Sequence, residues 1–367
     1  MKLIVLKKIL YGVGIITCLA YPTVGFAIQC SIVTPLKDDV MTIAANITVG
    51  PDIPVGTVVY KAQYVANGYS FIKCDAATYS VENWVDYLNI PGADTGLNFP
   101  GVGKVYATNL PGLGVAVTGT GNNQTLPRRE ATWTSDSGVG FGHAYYLQIV
   151  KTGDVSPGVL NGSSFPSVKS YAKAQAGYTG LPFDIIHLRF AGTINVISKT
   201  CKTPDIDVNL GKYEVTKYFK GKGSTTPWID SSITLSDCPA FKGYYGRNNS
   251  SITIRGSGTT PSGTPDANSL SVSLKPVQQI IDAASGIMAV SSANGGNTAL
   301  GVGIQIGWGS VSGAPTLFNF NENKNYAPPN DGRSSFQIPL AARYIQTDAA
   351  VSPGRADGKA VFVINYY

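Results

Sequence analysis

The residues best suited to chemistry lie in one polar stretch, residues 121–136 of the 367-residue chain. An aromatic ring can lie against the apolar face of a sugar, while a few acidic, amide and guanidinium groups bind its hydroxyls. The stretch therefore predicts a sugar-binding site. The alternative is that its tryptophan is a core residue of a strand and that the polar groups solvate a long turn. The candidate residues are Asn122, Gln124, Arg129, Trp133 and Asp136.

A second aromatic and acidic stretch occupies residues 79–87, with Glu82, Asn83, Trp84 and Asp86. It could flank the same sugar pocket, or it could simply be the strand that follows a disulfide.

The sequence offers few side chains that could bind a metal or a cofactor. The chain has only two histidines, His143 and His187, and their spacing does not resemble a zinc site. We predict no metal, no cofactor and no enzyme activity. The alternative is a glycoside hydrolase, which would need Asp136 to face a second acid, Glu130 or Glu82, about 5 to 9.5 Å away.

Residues 1–27 have the organisation of a cleaved secretory signal. Three lysines precede an apolar run, and residues 25–27 (GFA) form a small-x-small cleavage site. The run is shorter than the roughly 20 apolar residues that a membrane span needs. We expect the mature chain to begin at Ile28 and to be exported.

The composition is typical of a β-rich exported protein, with 42 glycines, 22 prolines, 20 tyrosines and 14% charged residues. Removal of the predicted signal takes three lysines and no acid, which lowers the formal net charge from +6 to +3. We expect no nucleic-acid partner because this positive surplus is small.

Four cysteines remain in the expected mature chain, and an exported location favours disulfides. Three pairings are possible in principle. Because a long gap separates Cys74 from Cys201, we predict that Cys30 pairs with Cys74 and that Cys201 pairs with Cys238, one disulfide in each domain. No cysteine is then left for thiol catalysis.

Alternating or continuous apolar runs separated by Gly, Pro and Asn predict strands throughout the first half. We predict an all-β protein with two β-sandwich domains, residues 28–191 and 200–367, joined by a linker at 192–199. Residues 160–181 are predicted to be irregular. The predicted strands of the first half are 39–49, 56–64, 104–107, 113–118, 144–150 and 185–190.

Residues 358–367 (GKAVFVINYY) alternate as a strand with apolar side chains on both faces. This pattern predicts burial between two layers. If the chain ends there, one edge of the strand has no following segment to pair with, and another protein could pair with it. The alternative is an ordinary sandwich that closes on its own last strand.

The second half resembles the pilin domain of chaperone-usher fimbrial subunits. The resemblance rests on ordered motifs: Cys201, VNLG at 208–211, ITLSDCP at 233–239, LGVGIQI at 300–306, PLAARY at 339–344 and the terminal strand. In the first half, YATNLPGLG at 106–114 and LQIVKTG at 147–153 resemble segments of the receptor-binding domains of two-domain fimbrial tip adhesins.

The resemblance implies an incomplete immunoglobulin-like fold in the second half, with a groove in place of its last strand. A periplasmic fimbrial chaperone, and then the next pilin subunit, would fill this groove as strand donors during assembly through an outer-membrane usher. Phe362, Ile364 and Tyr366 would line the groove, and the carboxylate of Tyr367 would anchor the chaperone.

The expected mature chain has no room for a donor strand of its own, since Cys30 would be its third residue. We therefore expect it to cap a fimbrium at the bacterial surface and to bind a host glycan or glycoprotein through its first domain. The alternatives are a host protein receptor and, as above, a secreted glycoside hydrolase.

Overall fold

The computed structural model describes residues 27–120, 125–246, 252–256, 263–292 and 295–367. The first fifteen strands are β1 Ile28–Ile32, β2 Lys37–Thr48, β3 Val58–Val65, β4 Ser70–Cys74, β5 Tyr79–Asn89, β6 Asp94–Phe99, β7 Gly103–Ala107, β8 Leu113–Gly119, β9 Arg128–Ser135, β10 Val139–Phe141, β11 Ala144–Lys151, β12 Gly158–Asn161, β13 Ser167–Ala172, β14 Tyr178–Thr179 and β15 Phe183–Ile197.

The remaining strands are β16 Ile229–Asp230, β17 Ile233–Leu235, β18 Ile252–Arg255, β19 Leu270–Pro276, β20 Ile280–Asp282, β21 Ile287–Ala289, β22 Val302–Trp308, β23 Thr316–Leu317, β24 Lys324–Tyr326, β25 Phe336–Ile338, β26 Leu340–Gln346 and β27 Ala360–Tyr366. The helical elements of the described residues are short: α1 Val215–Tyr218 and the 3-10 turns Gly162–Ser164 and Val311–Gly313. None of them is long and apolar enough to cross a membrane.

Two six-stranded sheets form the first sandwich. One has the order β18-β3-β11-β8-β7-β6, and the other has β12-β15-β13-β5-β9 with β2 paired alongside β15. Alternate residues of the facing strands pack between the sheets, among them Ile43 of β2, Tyr64 of β3 and Leu147 of β11. The outward side chains of β5 and β13 are consequently left on an open sheet face.

A small sheet with the order β10-β4-β1-β14 adds a second apolar cluster to this domain. In it β1 pairs with β4 on one side, with Cys30 opposite Cys74, and with β14 on the other. The segment that follows the expected cleavage site is therefore built into the first domain's own sheet.

The second domain packs a sheet of order β16-β26-β22-β21-β20 against a smaller sheet of order β24-β19-β27. Its core includes Val272 of β19, Ile304 of β22 and Ala342 of β26. The predicted fold class, all-β with two sandwiches, is confirmed. The strand β27 pairs with β19 on one side and lies at the edge of its sheet.

Both predicted disulfides are confirmed. Cys30 is bonded to Cys74 and Cys201 to Cys238, closing loops with sequence separations of 44 and 37 residues. The second disulfide ties the start of the second domain to the chain just after β17.

The six predicted strands of the first half are present as β2, β3, β7, β8, β11 and β15. Two other predictions were wrong. Residues 160–181, expected to be irregular, contain β13, in which Lys169 and Tyr171 alternate with the small buried residues Ser170 and Ala172, so that no apolar strand pattern was visible. Most of the predicted linker, 192–199, is also strand, because β15 pairs with β2 up to Ile197. The domain limits otherwise stay a prediction.

The terminal strand forms as predicted, but it is not buried between two layers. Its side chains alternate: Phe362 and Ile364 pack against the second core, whereas Val361 and Val363 are 48% and 38% exposed. The expectation of two buried faces was wrong because β27 lies at a sheet edge with its other face toward solvent.

The first sandwich also recruits a strand from the second half of the chain. In β18, Ile252 and Ile254 pair in parallel with β3, and both belong to the first core. Tyr244 is fully buried in that same core. The two halves are thus interlocked beyond a single connecting segment.

Candidate functional site

A groove of about 1150 Å³ lies beside the free edge of β27. Its floor is apolar and includes Ile304, Ile306 and Ala342, and Phe362 lies on the β27 side. A groove with these dimensions and this lining can hold an extended peptide with apolar side chains.

An extended segment, residues 205–211, forms the opposite wall. Its side chains alternate as in a strand: Ile206, Val208 and Leu210 turn toward the core, while Asp205 and Asp207 are exposed. The segment belongs to no strand. Two strand-like walls therefore face each other across a gap that has the shape of a missing strand.

The backbone of β27 is oriented to pair across this gap. Tyr367 and Ser269 exchange both of their backbone hydrogen bonds at 2.8 Å. In an antiparallel ladder such pairs alternate with pairs whose backbone groups point outward. The amide and carbonyl groups of Phe362 and Ile364 therefore point away from β19, toward the groove.

At its Tyr366 end, β27 is hydrogen-bonded both to the start of the opposite wall and to the first domain. The Tyr366 hydroxyl accepts a hydrogen bond from the Cys201 amide at 3.3 Å. The backbone amide of Tyr366 donates a hydrogen bond to the Asp52 carboxylate at 2.8 Å. Of the four predicted groove residues, Phe362 lines the groove, whereas Ile364 and Tyr366 line an adjoining cavity of about 250 Å³ that Phe362 also lines. Tyr367 instead packs against the first domain's core.

The predicted sugar-site residues do not converge on one pocket. In the ladder between β9 and β5, Trp133 lies opposite Val81, whereas Arg129 lies opposite Trp84. Opposed residues of a ladder share a face of the sheet, so Trp133 is on the core-facing side and Arg129 on the outward side. Trp133 is still 48% exposed, because β9 is an edge strand.

Asp136 lies in the exposed turn that follows β9. Two further predicted residues, Asn122 and Gln124, lie outside the described residues. At about 3.3 Å per residue, Glu130 is roughly 20 Å along the strand from Asp136. The carboxylate of Glu82 is held by Trp84. The geometry does not support a glycosidase acid pair built on Asp136.

Of the second predicted stretch, Glu82, Trp84 and Asp86 lie on the outward face of β5, beside β13, whereas Asn83 is buried and accepts a hydrogen bond from Ser170 at 2.6 Å. Trp84 lies directly opposite Tyr171. The Trp84 ring nitrogen donates to Glu82 at 2.8 Å, and Lys173 lies 4.0 Å from the centre of the Trp84 ring. We call Glu82, Trp84, Tyr171 and Lys173, with their neighbours on this face, the outward face of the first domain.

Charged groups surround these two rings. Arg129 lies 3.5 Å from Glu82, and the pKa of Glu82 is lowered by the hydrogen bond from Trp84 and by this guanidinium. On β15, burial alone would raise the pKa of Asp184, but hydrogen bonds from His187 and Lys169 outweigh it and lower that pKa. The face thus presents fixed donors and acceptors around two aromatic rings.

Sequence reasoning missed Lys169, Tyr171 and Lys173 because β13 was not recognised as a strand, and it missed Asp184 because nothing in the sequence showed that β15 lies beside β13. In the Lys-Ser-Tyr-Ala-Lys run at 169–173, long side chains alternate with small buried ones, and this period of two would have revealed the strand.

The two histidines have different environments. His143 is buried, and neither ring nitrogen has a hydrogen-bond partner in the part of the chain that the structure describes. Burial, followed by the charge of Lys37, lowers the pKa of His143 to about 4. His187 lies on β15 and contacts Asp184 at 2.9 Å. The described ranges contain no group of three or more His, Cys, Asp or Glu side chains able to hold a metal ion.

These features define a class: a two-sandwich β protein with one disulfide per sandwich, whose second sandwich has an unpaired edge strand beside an apolar groove. Residues 188–367 match the family model described as fimbrial protein. Residues 188–367, just under half of the chain, therefore belong to the fimbrial protein family.

The chain is 24% identical to a fimbria adhesin protein of Klebsiella pneumoniae, over 88% of each sequence. It is 27% identical to a type 1 fimbrial subunit of Salmonella typhimurium, over 56% of this chain and 96% of the subunit. Among solved structures, the CupB6 tip adhesin of Pseudomonas aeruginosa matches with 18% identity and a TM-score of 0.34, over 93% of this chain and 94% of that one.

Proposed function

We propose that this chain caps a fimbrium and binds a host glycan. Its second domain accepts a β-strand, first from a periplasmic chaperone and then from the next pilin subunit at the outer-membrane usher. The observation that carries this proposal is the apolar groove between β27 and residues 205–211. Its two walls have strand geometry, and the described residues place no strand between them.

An incoming strand would pair with the free backbone of β27 and would also cover the apolar floor of the groove. Its backbone would pair with the outward-pointing groups of Phe362 and Ile364, which an unpaired edge leaves to solvent. Every second side chain would enter the floor between Ile306 and Phe362. The groove therefore favours binding of a strand that has apolar side chains at alternate positions.

The position at the tip is supported by the way in which β1 is used. A subunit that donates a strand needs a free alternating segment, but Ile28–Ile32 is paired with β4 and β14 within the first domain. With cleavage after residue 27, the chain accepts a strand and does not offer one.

The assembly proposal is tested with a matched pair of variants in β27. Phe362 faces the groove, and its neighbour Val361 faces solvent. We expect Phe362→Asp to reduce the recovery of a periplasmic complex with a co-expressed fimbrial chaperone at least tenfold, because a buried unpaired carboxylate costs several kcal/mol. We expect Val361→Asp to leave recovery unchanged. Equal recovery of the two variants would contradict the proposal.

The outward face of the first domain is the best-supported location for glycan binding. Trp84 and Tyr171 lie opposite each other across β5 and β13, and Glu82 is held in place by Trp84 and Arg129. Sugar recognition needs an aromatic surface and a few oriented polar groups. The outward face combines these, whereas Trp133 projects from the other side of the sheet.

A glycan array with the chaperone-bound full chain tests this location. We expect Trp84→Ala to weaken binding about fivefold or more, since an aromatic contact contributes about 1 kcal/mol or more. The control is Trp133→Ala, which removes the same side chain from the opposite side of the same sheet and is expected to leave binding intact. If only the Trp133 variant lost binding, the glycan site would lie at the β9 edge and not on the outward face.

A second candidate function, binding of a host protein, is favoured by a different surface. Val33, Tyr69 and Phe71 are 62%, 62% and 45% exposed on and beside the small sheet. The Phe71 ring lies over Gly140, where an added Cβ would come within 2.9 Å of it. Apolar surface of this kind suits a protein partner, and binding to a protein with no glycan-array signal would favour this alternative.

A further inference from the structure

The first domain reaches the free edge of β27 through residues 50–52, which we call the 50–52 loop. The Asp52 carboxylate accepts a hydrogen bond from the Tyr366 amide at 2.8 Å. This contact joins positions 314 residues apart in the chain. A residue of the receptor-binding half thus contacts the backbone of the strand that forms one wall of the assembly groove.

The contact occupies a position that strand pairing would use. Backbone groups of β27 alternate in direction, and those of Tyr366 point to the same side as those of Phe362 and Ile364. An incoming strand that continued past Ile364 would need the Tyr366 amide as a donor. Asp52 already binds that amide, and a charge-assisted hydrogen bond of this kind is stronger than a neutral one.

The 50–52 loop is held against β27 from both sides. Gly50 packs on the Tyr366 carbonyl so closely that an added Cβ would lie 2.1 Å from its oxygen. Behind the loop, the buried ammonium group of Lys151 donates to the carbonyls of Gly50 at 3.3 Å and Pro51 at 2.5 Å. The loop therefore cannot move away without breaking several contacts.

The Tyr366 side chain links β27 to the opposite wall of the groove. Its hydroxyl accepts a hydrogen bond from the amide of Cys201, at the start of the opposite wall, at 3.3 Å. Beyond Ile364, Asp52 occupies the backbone edge, and the space between the walls narrows to a cavity of about 250 Å³. The other end, near Gly358 and Lys359, continues into the groove.

We infer that the 50–52 loop is a stop that fixes the register of the accepted strand, with Ile364 as the last position available for pairing. Asp52 is the specificity-determining residue of this stop. The inference rests on the proposed acceptance of a strand by the second domain. It adds that the first domain determines where the partner strand must end or turn away.

Residue-resolved hydrogen exchange of the full chain tests the stop. The probe is a synthetic peptide of alternating valine and threonine. In the free wild-type chain we expect the Tyr366 amide to be protected and the Phe362 and Ile364 amides to exchange rapidly. The peptide should protect Phe362 and Ile364 and leave Tyr366 unchanged.

In Asp52→Ala we expect the Tyr366 amide of the free chain to exchange at least tenfold faster. Adding the peptide should restore its protection, because pairing can then extend past Ile364. Asp52→Asn keeps an oxygen acceptor and should behave more like wild type. The control Asp38→Ala, which removes an exposed first-domain aspartate paired with Arg189, should match wild type.

The outcomes distinguish a failure of strand acceptance from a failure of the stop alone. If the peptide protects Phe362 and Ile364 in no variant, acceptance of a strand fails and the stop fails with it. If the peptide binds, but Tyr366 exchanges alike in the free wild type and in Asp52→Ala, the stop alone is overturned. The stop alone is also overturned if, in Asp52→Ala, the peptide protects the Phe362 and Ile364 amides but leaves the Tyr366 amide unprotected.

Discussion

At the scale of single residues, the most unusual group is His143. It is buried where β11 begins, and neither ring nitrogen has a hydrogen-bond partner among the described residues. An imidazolium in this position would lose its hydration and would also face the charge of Lys37, which is why the pKa of His143 falls to about 4.

This residue predicts an acid-sensitive first domain. The pKa is near 6.5 in the unfolded chain and lower in the folded one, so the unfolded state binds the extra proton as the pH falls. Stability is therefore full above about pH 6.5 and is lost between about pH 6.5 and 4, by about 3 kcal/mol.

His143→Phe should flatten that part of the pH profile of the free energy of unfolding, measured by denaturant titration at several pH values. His187→Asn is the matched control, since it removes the other histidine from an outward strand face. An unchanged slope in His143→Phe would show that other groups cause the acid sensitivity.

The residues of the candidate sites were partly predictable from sequence. The groove residues Phe362 and Ile364 came from the resemblance to pilin domains, and alternation placed them on one face of the strand, because period two determines which side chains share a face. The sugar-site residues were chosen by proximity in sequence, and Trp133 and Arg129 ended on opposite faces of one strand. A β-bulge between Asn83 and Trp84 changes which residues face each other, and no sequence pattern indicated it.

At the scale of elements, apolar strands were predictable and polar ones were not. The strand β8 is buried along its whole length and was found from its apolar run. The strand β13 was missed because Lys169 and Tyr171 alternate with the small buried residues Ser170 and Ala172. Burial on both faces was also expected for β27, because composition does not distinguish an edge strand from a central one.

The disulfide between Cys201 and Cys238 supports one element of the groove, the wall at residues 205–211. It closes a loop with a separation of 37 residues. In the chain-entropy account a loop of that length contributes about 4 kcal/mol. We expect the double variant Cys201→Ala, Cys238→Ala to lose about that much stability, measured by denaturant unfolding.

The same variant should also bind a fimbrial chaperone less well, since its wall is no longer tied to β17. The double variant Cys30→Ala, Cys74→Ala provides the comparison, because it removes the first-domain disulfide and leaves the groove walls intact. Equal chaperone binding by the two variants would show that the disulfide does not support the groove.

At the scale of the whole molecule, the two halves are interlocked rather than joined by a simple linker. β18 extends the first domain's sheet at the edge of β3, and Asn268 donates hydrogen bonds to the carbonyls of Thr48 and Tyr367. A sequence that shows two disulfide loops suggests two independent domains. The return of Tyr244 and of β18 to the first core was not predictable, because a short apolar run does not reveal which sheet it joins.

This interlocking makes the first domain dependent on residues of the second half. Tyr244 is fully buried in the first core, far along the chain from the other members of that core. We expect Tyr244→Ala to destabilise the first domain by about 3 to 5 kcal/mol, the usual cost of removing a large buried ring. The change should appear as faster amide exchange along β3, next to β18.

The neighbouring Tyr245 provides a matched control. It is half-buried and packs edge-on against Tyr60 at 6.0 Å between ring centres, so Tyr245→Ala removes an equal side chain from a less buried position and should cost less. If Tyr244→Ala affects β3 no more than Tyr245→Ala does, the first sandwich is stable without the second half. A fragment that ends near residue 199 would then serve for receptor binding. If the expected difference is found, receptor binding must be measured on the full chain, because the returning segment completes the sheet on which the outward face depends.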